Sequence, residues 1–209
     1  VSTPETVTID INDVNDVAPV INVSQAFNVS EGVINTSSVG TVTATDADGL
    51  SLQNWTIIAG NTDNIFSINP VSGEITVTDN TNLDFEATAS YTLTLTVEDD
   101  ATNVSTPETV TIDINDVNDV APVITASQVF NVNENAINTT VVGTAAATDA
   151  DGLSLQNWTI TAGNTDNIFS INATSGEITV TDNTNLDYET TASYTLTLTV
   201  EDDATNVST

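Results

Sequence analysis

The chain has 209 residues, of which 30 are acidic and none is Lys, Arg or His, so its formal charge is −30 at pH 7. Nucleic acids and anionic membrane surfaces are bound through Lys and Arg, and both are therefore excluded as partners. Cysteine is also absent, which excludes disulfides, zinc–thiolate sites and thiol nucleophiles. The remaining metal ligands are carboxylate, amide and carbonyl oxygens, which suit hard cations such as calcium.

A long internal repeat organises the chain. Residues 1–20 recur unchanged as residues 104–123, a period of 103 residues. A period of this length fits one small domain per repeat. We therefore predict that residues 1–16 are the closing strand and linker of a preceding repeat, 17–119 a complete repeat, and 120–209 a second repeat that lacks its own last strand. Because Val-Ser-Thr both begins and ends the chain, we expect it to be a window cut from a longer array.

Apolar and polar residues alternate along most of each repeat, which predicts half-buried strands. In chain order the predicted strands of the complete repeat lie at residues 20–23, 27–29, 39–44, 54–58, 65–68, 74–78, 91–98 and 108–115. Turn signals such as Asp48-Gly49 and Ser72-Gly73 separate them. About seven short strands in roughly 100 residues are typical of a Greek-key sandwich. The predicted fold class is all-β, with tandem seven-stranded Greek-key β-sandwiches of immunoglobulin-like type and no disulfides.

The acidic residues concentrate at strand ends and turns, in five clusters per repeat. In the first repeat these are Glu31, Asp46-Ala47-Asp48, Leu83-Asp84-Phe85-Glu86, Asp99 and Asp116-Val117-Asn118-Asp119. Two carboxylates about 4 Å apart repel each other by about 4 kcal/mol at a surface-like dielectric. The clusters therefore predict a bound cation rather than the solvated acidic surface of a halotolerant protein. Acids outside the clusters, among them Asp100, are predicted to be ordinary solvated surface residues.

In their order and spacing the five motifs resemble those of a cadherin repeat, and the resemblance covers essentially the whole chain. It implies Ca²⁺ as the cofactor, with about three ions at each complete junction between repeats. The ligands implied for the central junction are Glu31, Asp84, Glu86, Asp116, Val117, Asn118, Asp119, Val120, Asp149, Asp151 and Asp202. Incomplete half-sites are implied at Asp13, Asn15, Asp16, Asp46, Asp48, Asp99, Glu134, Asp187 and Glu189. The family's linker usually ends in Asn, where this chain has Val120, and Val117 and Val120 would bind through their carbonyl groups.

The resemblance implies a function as a calcium-rigidified, extracellular structural or adhesion repeat, a spacer in a long cell-surface protein like the extender repeats of giant bacterial surface adhesins. Its implied partners are neighbouring repeats of the same chain, or identical chains head to tail. No enzymatic activity is expected, because paired carboxylates recur in each repeat and no cleft-lining aromatic residues accompany them. No apolar run approaches the length of a membrane span, so membrane insertion is not expected either.

Two alternative functions stay open. Residues 5–12 repeat the last strand of the complete repeat, and their apolar face of Val7, Ile9 and Ile11 matches the position left vacant in 120–209. Copies could therefore form an extracellular filament by strand donation, whereas in a longer polypeptide the same pairing would be covalent. The other alternative is a glycan- or homophilic-binding cadherin-like module. Trp55 lies mid-strand and is predicted to be a core residue rather than a sugar-stacking platform.

Overall fold

The structure, a computed structural model, describes residues 2–49, 51–152 and 154–208. The chain divides into two compact units, unit 1 at Val1–Val117 and unit 2 at Asn118–Thr209. The division falls inside the predicted linker segment, so the chain has the tandem organisation that the repeat indicates. The finer boundaries drawn from the repeat stay predictions. In the described part of the chain, no helix combines the length and the apolar character needed to cross a membrane.

The regular secondary structure of unit 1 is almost entirely β-strand, as the alternating pattern predicts, with one 3-10 turn at Thr62–Asn64. Its strands are β1 (Val20–Ile21), β2 (Gln25–Ser30), β3 (Ser38–Thr41), β4 (Ala44–Thr45), β5 (Gln53–Ala59), β6 (Phe66–Ile68), β7 (Glu74–Val77), β8 (Ser90–Glu98) and β9 (Glu108–Asn115). One sheet has the order β2-β9-β8-β5, a second has the order β3-β7-β6, and β1 pairs with β4. Strand β2 runs parallel to β9, whereas β8 runs antiparallel to it. The predicted all-β fold is confirmed.

The two-residue alternation decides which face of each strand is buried. The buried side chains of the central strands are Tyr91, Leu93, Leu95 and Val97 on β8, and Val110, Ile112 and Ile114 on β9. They share one continuous core with residues of the second sheet, such as Ile75 and Val77. Trp55 is 4 % exposed and belongs to this core, which confirms its predicted structural role. The phenyl ring of Phe66 meets Tyr91 edge to face at 5.3 Å between ring centres.

Unit 2 repeats this plan incompletely. Its strands are β10 (Val123–Ile124), β11 (Val141–Thr144), β12 (Ala147–Thr148), β13 (Gln156–Ala162), β14 (Phe169–Ile171), β15 (Glu177–Val180) and β16 (Thr197–Glu201). The sheets have the orders β11-β15-β14, β13-β16 and β10-β12. Residues 128–133, the counterpart of β2, form no strand. Strand β16 begins at Thr197, although the counterpart of the first residue of β8 is Ser193.

The difference between the two units traces to one strand. In unit 1, β9 lies between β2 and β8 and pairs with both. The described residues of unit 2 contain no counterpart of β9, so residues 128–133 and 193–196 have no strand to pair with. A missing last strand was predicted, but its consequence reaches further than expected. The core of unit 2 separates into two smaller clusters, because its described residues include no strand that would join them.

Residues 5–12 were predicted to be a strand, and in the structure they are not one. Their sequence is identical to that of β9, yet Val7, Ile9 and Ile11 are 86, 84 and 93 % exposed. A strand needs hydrogen-bonding neighbours and a face to bury, and an isolated segment has neither. In unit 1 the position that this sequence would fill is already taken by β9. That residues 5–12 are the closing strand of a preceding repeat stays a prediction.

We expect Gly60→Ala to destabilise unit 1 more than Gly49→Ala does. Both glycines have positive φ, +84° and +74°, so each alanine costs about 1 kcal/mol of backbone strain. A Cβ on Gly60 would also lie 1.9 Å from the Thr92 carbonyl oxygen, whereas a Cβ on Gly49 meets nothing within 4 Å. We therefore expect Gly60→Ala to cost roughly 2 kcal/mol more, since the backbone must shift. Thermal unfolding in the presence of a chelator measures the stability of both variants. Equal melting temperatures would show that the close approach of Gly60 to the Thr92 carbonyl does not affect stability.

Candidate metal centre

Three of the predicted carboxylates meet at one end of unit 1, and the strand register explains why. Ser30 and Asn115 are paired at the ends of the parallel strands β2 and β9. The next residues, Glu31 and Asp116, therefore leave the sheet side by side. Glu86 joins them from the loop between β7 and β8, and carboxylate oxygens of all three lie within 4.8 Å of one another. We call Glu31, Glu86 and Asp116 the lower cluster of unit 1.

Glu31 is the buried member of the lower cluster, with 5 % of its surface exposed. Its Oε2 accepts a hydrogen bond from the Phe85 amide at 2.5 Å, and its Oε1 accepts one from the Val117 amide at 2.6 Å. These charge-assisted bonds hold both the Asp84–Glu86 loop and the start of the linker against one carboxylate. Asp84 lies outside the lower cluster, and its Oδ1 accepts a hydrogen bond from the Ala87 amide at 2.9 Å.

Unit 2 has a counterpart made of Glu134, Asp187 and Glu189, but all three residues are exposed. Glu134 accepts a hydrogen bond from the Tyr188 amide at 2.9 Å, as Glu31 does from Phe85. In unit 1 a second donor to the glutamate, the Val117 amide, follows strand β9. The described residues of unit 2 contain no counterpart of β9 and so no equivalent donor to Glu134. The Oδ2 of Asp187 accepts a hydrogen bond from the Thr190 hydroxyl at 2.7 Å, which lowers the pKa of Asp187. Unit 1 has Ala87 at the position of Thr190.

The Asp-Ala-Asp turn that follows β4 places two carboxylates at the other end of unit 1. The Oδ1 of Asp46 accepts a hydrogen bond from the Asp48 amide at 2.8 Å. The Oδ2 of Asp48 accepts hydrogen bonds from the amides of Asp16 and Val17, at 3.1 and 3.0 Å. The second oxygen of Asp46, Oδ2, is buried and has no hydrogen-bond partner.

The equivalent turn of unit 2 has the same arrangement. The Oδ1 of Asp149 accepts a hydrogen bond from the Asp151 amide at 2.9 Å, and the Oδ2 of Asp151 accepts one from the Val120 amide at 3.0 Å. Two carboxylate oxygens, Oδ2 of Asp149 and Oδ1 of Asp151, are buried without a partner. Burial of an unpaired carboxylate oxygen is costly. These atoms therefore mark a position where a positive charge is needed, and no cationic side chain exists to provide it.

Asp99 and its counterpart Asp202 are fully buried, with 0 % exposure. Burial alone would raise the pKa of Asp99, but hydrogen bonds from the side chain and backbone of Asn103 and from the Ala101 backbone outweigh it, and the pKa is lowered. The Asn103 side chain donates to Asp99 Oδ2 at 2.7 Å. Asn206 donates to Asp202 Oδ2 in the same way, also at 2.7 Å. The neighbouring residue Asp203 is exposed.

The side-chain amides of Asn15 and Asn118 are held by an Asn and an Asp that the sequence motifs did not single out. In unit 2, Asn206 Nδ2 lies 3.2 Å from Asn118 Oδ1, and Asn118 Nδ2 donates to Asp203 Oδ1 at 2.9 Å. In unit 1 the same contacts join Asn15 to Asn103 and Asp100, at 3.3 and 2.8 Å. Asp100 is exposed, as predicted for an acid outside the clusters, and its carboxylate accepts this hydrogen bond at the surface. The sequence signal for the Asn103 and Asn206 contacts was the exact recurrence of residues 99–103 as 202–206. Because nearly all of the repeat recurs, this segment did not stand out.

The structure brings together some of the predicted ligands and not others. The two lower clusters are the groups of three carboxylates that lie within 4.8 Å among residues 2–49, 51–152 and 154–208. The upper carboxylates, Asp46, Asp48 and Asp99 in unit 1 and Asp149, Asp151 and Asp202 in unit 2, do not form so tight a group there. Hydrogen bonds instead link Asp48 to the Asp16 amide before β1, and Asp151 to the Val120 amide before β10. Asp99 and Asp202 accept from Asn103 and Asn206, whose side chains also donate to Asn15 and Asn118. Asp13 and Asp119 are exposed.

Comparison with known proteins identifies the family. The family described as "Cadherin domain" matches residues 25–115 and 128–209. The chain is 33 % identical to human Protocadherin Fat 4 over 204 residues and 34 % identical to rat Cadherin-23 over 209 residues, which is 94 and 96 % of this chain. It spans only 4 and 6 % of those two relatives. Both are animal proteins, so the expected likeness to bacterial adhesins receives no support from them.

The structural comparisons agree. A crystal structure of mouse Cadherin-23 EC22-24 matches 95 % of this chain with a TM-score of 0.69 and 27 % identity, over 64 % of that chain. The human Desmocollin-1 ectodomain matches 92 % of this chain with a TM-score of 0.65 and 29 % identity, over 38 % of that chain. These solved structures carry the same β-sandwich repeats. The chain belongs to the cadherin domain family and is a non-catalytic, extracellular, adhesion-type pair of β-sandwich repeats.

Proposed function

We propose that this repeat pair is a calcium-rigidified spacer within a long cell-surface protein. The observation that carries the proposal is the set of buried, unpartnered carboxylate oxygens, on Asp46 in unit 1 and on Asp149 and Asp151 in unit 2. They recur at equivalent turns of both units, in a chain with 30 acidic and no cationic side chains. A divalent cation would supply the missing positive charge.

The chemistry of the available ligands favours calcium. Calcium takes six to eight oxygen ligands in flexible geometry, from carboxylates, amides and backbone carbonyl groups. Those are the ligand types that the two ends of each unit provide. Transition metals prefer imidazole or thiolate ligands, and the sequence contains neither. Calcium when bound would act as a structural cross-link and a neutralising charge.

The ligands proposed are those that the cadherin motifs imply. They are Glu31, Asp84, Glu86, Asp116, Val117, Asn118, Asp119, Val120, Asp149, Asp151 and Asp202, with about three calcium ions for the set. The set contains eight carboxylates, which about three divalent ions would nearly neutralise. At Val120, where the family's linker usually has Asn, the proposed ligand is the backbone carbonyl, which any residue type supplies. The Val120 amide donates a hydrogen bond to Asp151.

Linkage between binding and folding gives the ions their mechanical effect. Each bound ion stabilises the folded state by about 2.7 kcal/mol when free calcium is a hundredfold above the dissociation constant. Calcium modules outside the cell bind with dissociation constants on the order of 10⁻⁴ to 10⁻³ M. External calcium would therefore make the repeats stiff, and its removal would loosen the segments that carry the ligands.

A second candidate role, also our proposal, is that of a subunit in an extracellular filament built head to tail. The observation that favours it is the pair of unpaired segments in unit 2, residues 128–133 and 193–196, together with the exposed apolar face of residues 5–12. A donor at one end and an acceptor at the other make a heterologous contact. Contacts of this type continue into open chains rather than closing into a dimer.

Removal of calcium is expected to lower the melting temperature and to increase the radius of gyration. The loss of two or more ions at a hundredfold excess would cost about 5 kcal/mol, which shifts the melting temperature by well over 5 °C. Scanning calorimetry and small-angle X-ray scattering with and without a chelator measure the two effects. Magnesium at equal concentration is the ionic-strength control. If the melting and scattering curves are identical with and without the chelator, the calcium proposal is contradicted.

A second prediction is that Asp149→Asn changes the stability of the protein in opposite directions with and without calcium. With calcium this substitution should destabilise the protein, because a ligand charge is lost and the calcium affinity falls roughly tenfold or more. Without calcium the same substitution should stabilise it, because a buried carboxylate oxygen with no partner is replaced by a neutral amide. Thermal melts in both conditions measure the change.

The matched control for this experiment is Asp63→Asn. It removes the same charge from an exposed residue outside the clusters, at a positive φ of 57° that Asn tolerates well. Its effect on the melting temperature should have the same sign with and without calcium. If Asp149→Asn also behaves in this way, the buried oxygen is not a calcium ligand.

A further inference from the structure

We propose that Asp203 in unit 2, and its counterpart Asp100 in unit 1, are positioning residues for calcium. Each fixes the orientation of the side-chain amide of a linker asparagine, Asn118 or Asn15, so that the amide oxygen is available as a ligand. The inference rests on the proposed calcium function and adds to it two acids that lie outside the proposed ligand set. An asparagine binds a hard cation through its oxygen and not through its amide nitrogen. The orientation therefore decides whether the linker side chain can serve as a ligand.

The side-chain amide of Asn118 lies between an acceptor and a donor. Its Nδ2 donates to Asp203 Oδ1 at 2.9 Å, and its Oδ1 lies 3.2 Å from Nδ2 of Asn206. An ionised carboxylate only accepts hydrogen bonds, whereas an amide nitrogen only donates them. Rotation of the Asn118 amide by half a turn would place oxygen against oxygen and nitrogen against nitrogen, and both contacts would be lost. The two neighbours therefore allow one orientation of this amide.

Asn206 connects the oriented amide to the buried Asp202. Its Nδ2 donates to Asp202 Oδ2 at 2.7 Å. The same nitrogen reaches the Asn118 side-chain oxygen at 3.2 Å and the Asn118 backbone carbonyl oxygen at 3.3 Å. One side chain therefore holds a buried carboxylate oxygen and the linker amide oxygen near each other, as ligands of a shared ion must be.

The loop that carries Asp202 and Asn206 is held in a conformation that its sequence does not favour. The Asn206 amide donates to Asp202 Oδ1 at 2.8 Å, and the Asp202 amide donates to the Asn206 carbonyl at 3.1 Å. Between them, Thr205 has a φ of 71°, which is uncommon for a β-branched residue. Strain of this kind persists where the surrounding contacts determine the backbone, and it is typical of functional sites.

Unit 1 contains the same network. The Nδ2 of Asn15 donates to Asp100 Oδ1 at 2.8 Å. The Nδ2 of Asn103 lies 3.3 Å from Asn15 Oδ1 and donates to Asp99 Oδ2 at 2.7 Å. Thr102 again has a positive φ, of 68°. Because Asp100 is exposed and lies outside the core, its part in this network is not explained by packing.

The test separates the hydrogen bond of Asp203 from its charge, in the 209-residue chain. Asp203→Asn removes the charge but keeps an oxygen that can accept from Asn118. Asp203→Ala removes both the charge and the acceptor. Calcium binding is followed by NMR titration through the backbone amide signal of Asp151, which lies in the same unit. Thermal melts with a chelator give the stability of each variant without calcium.

We expect Asp203→Ala to lower the calcium affinity measured at unit 2 about tenfold or more, as the loss of an orienting partner does in other metal sites. Asp203→Asn should lower it much less, because it removes only a charge that salt and solvent screen. Both variants should melt alike with the chelator, since Asp203 is exposed. In an Asn118→Ala background the two should bind calcium equally, because no amide remains to be oriented.

Glu201 provides the matched control. Its Oε2 accepts a hydrogen bond from Asn157 Nδ2 at 2.8 Å, and neither residue belongs to the proposed ligand set. Glu201→Gln and Glu201→Ala differ in the same way as the two Asp203 variants, by the presence of an acceptor. They should have equal calcium affinity.

The inference is overturned, and the calcium proposal stands, if the parent chain binds calcium and Asp203→Ala binds it as well as Asp203→Asn. It is equally overturned if their difference persists in the Asn118→Ala background, because Asp203 would then act independently of that amide. A difference of the same size between the Glu201 variants would also overturn it. Absence of calcium binding by the parent chain would overturn the inference and the calcium proposal together.

Discussion

The balance of charge is the constraint on which the rest of this structure depends. A chain with 30 carboxylates and no cationic side chain cannot form salt bridges between side chains, so its buried acids must be satisfied by hydrogen-bond donors or by metal. Backbone amides and Asn side chains do much of this for Glu31, Asp48 and Asp99. They do not reach Oδ2 of Asp46 or of Asp149. The need for a cation is thus concentrated at equivalent turns of the two units.

The strand that closes the sandwich connects this electrostatic problem to the fold. Parallel pairing of β2 and β9 places Glu31 beside Asp116, and the residue after Asp116 donates its amide to Glu31. The second unit provides an internal comparison, because its sequence is nearly the same but the closing strand is missing from its described residues. There Glu134 is exposed, whereas Glu31 is 5 % exposed. One strand therefore completes the core and also positions the lower carboxylates.

Much of this architecture could be predicted from the sequence, because alternation and spacing are local signals. The pattern from Tyr91 to Val97 predicts both a strand and its buried face, and the structure confirms it. Local signals failed where pairing decides the outcome. Residues 5–12 and β9 are identical in sequence but differ in structure, and Phe27 lies in a strand whereas Phe130 does not. The hydrogen bond from the Asn103 side chain to Asp99 was not predicted, because a side-chain contact across a turn produces no periodic pattern in the sequence.

The central claim is that divalent calcium supplies the positive charge that the sequence lacks. The most direct measurement is the metal content of the purified chain, by native mass spectrometry in a calcium-containing buffer and after chelation. The account predicts a folded protein that carries about three calcium ions, as oxygen-rich sites of this kind would hold, and that releases them to the chelator. A fully folded chain that carries no metal in calcium-containing buffer would contradict it.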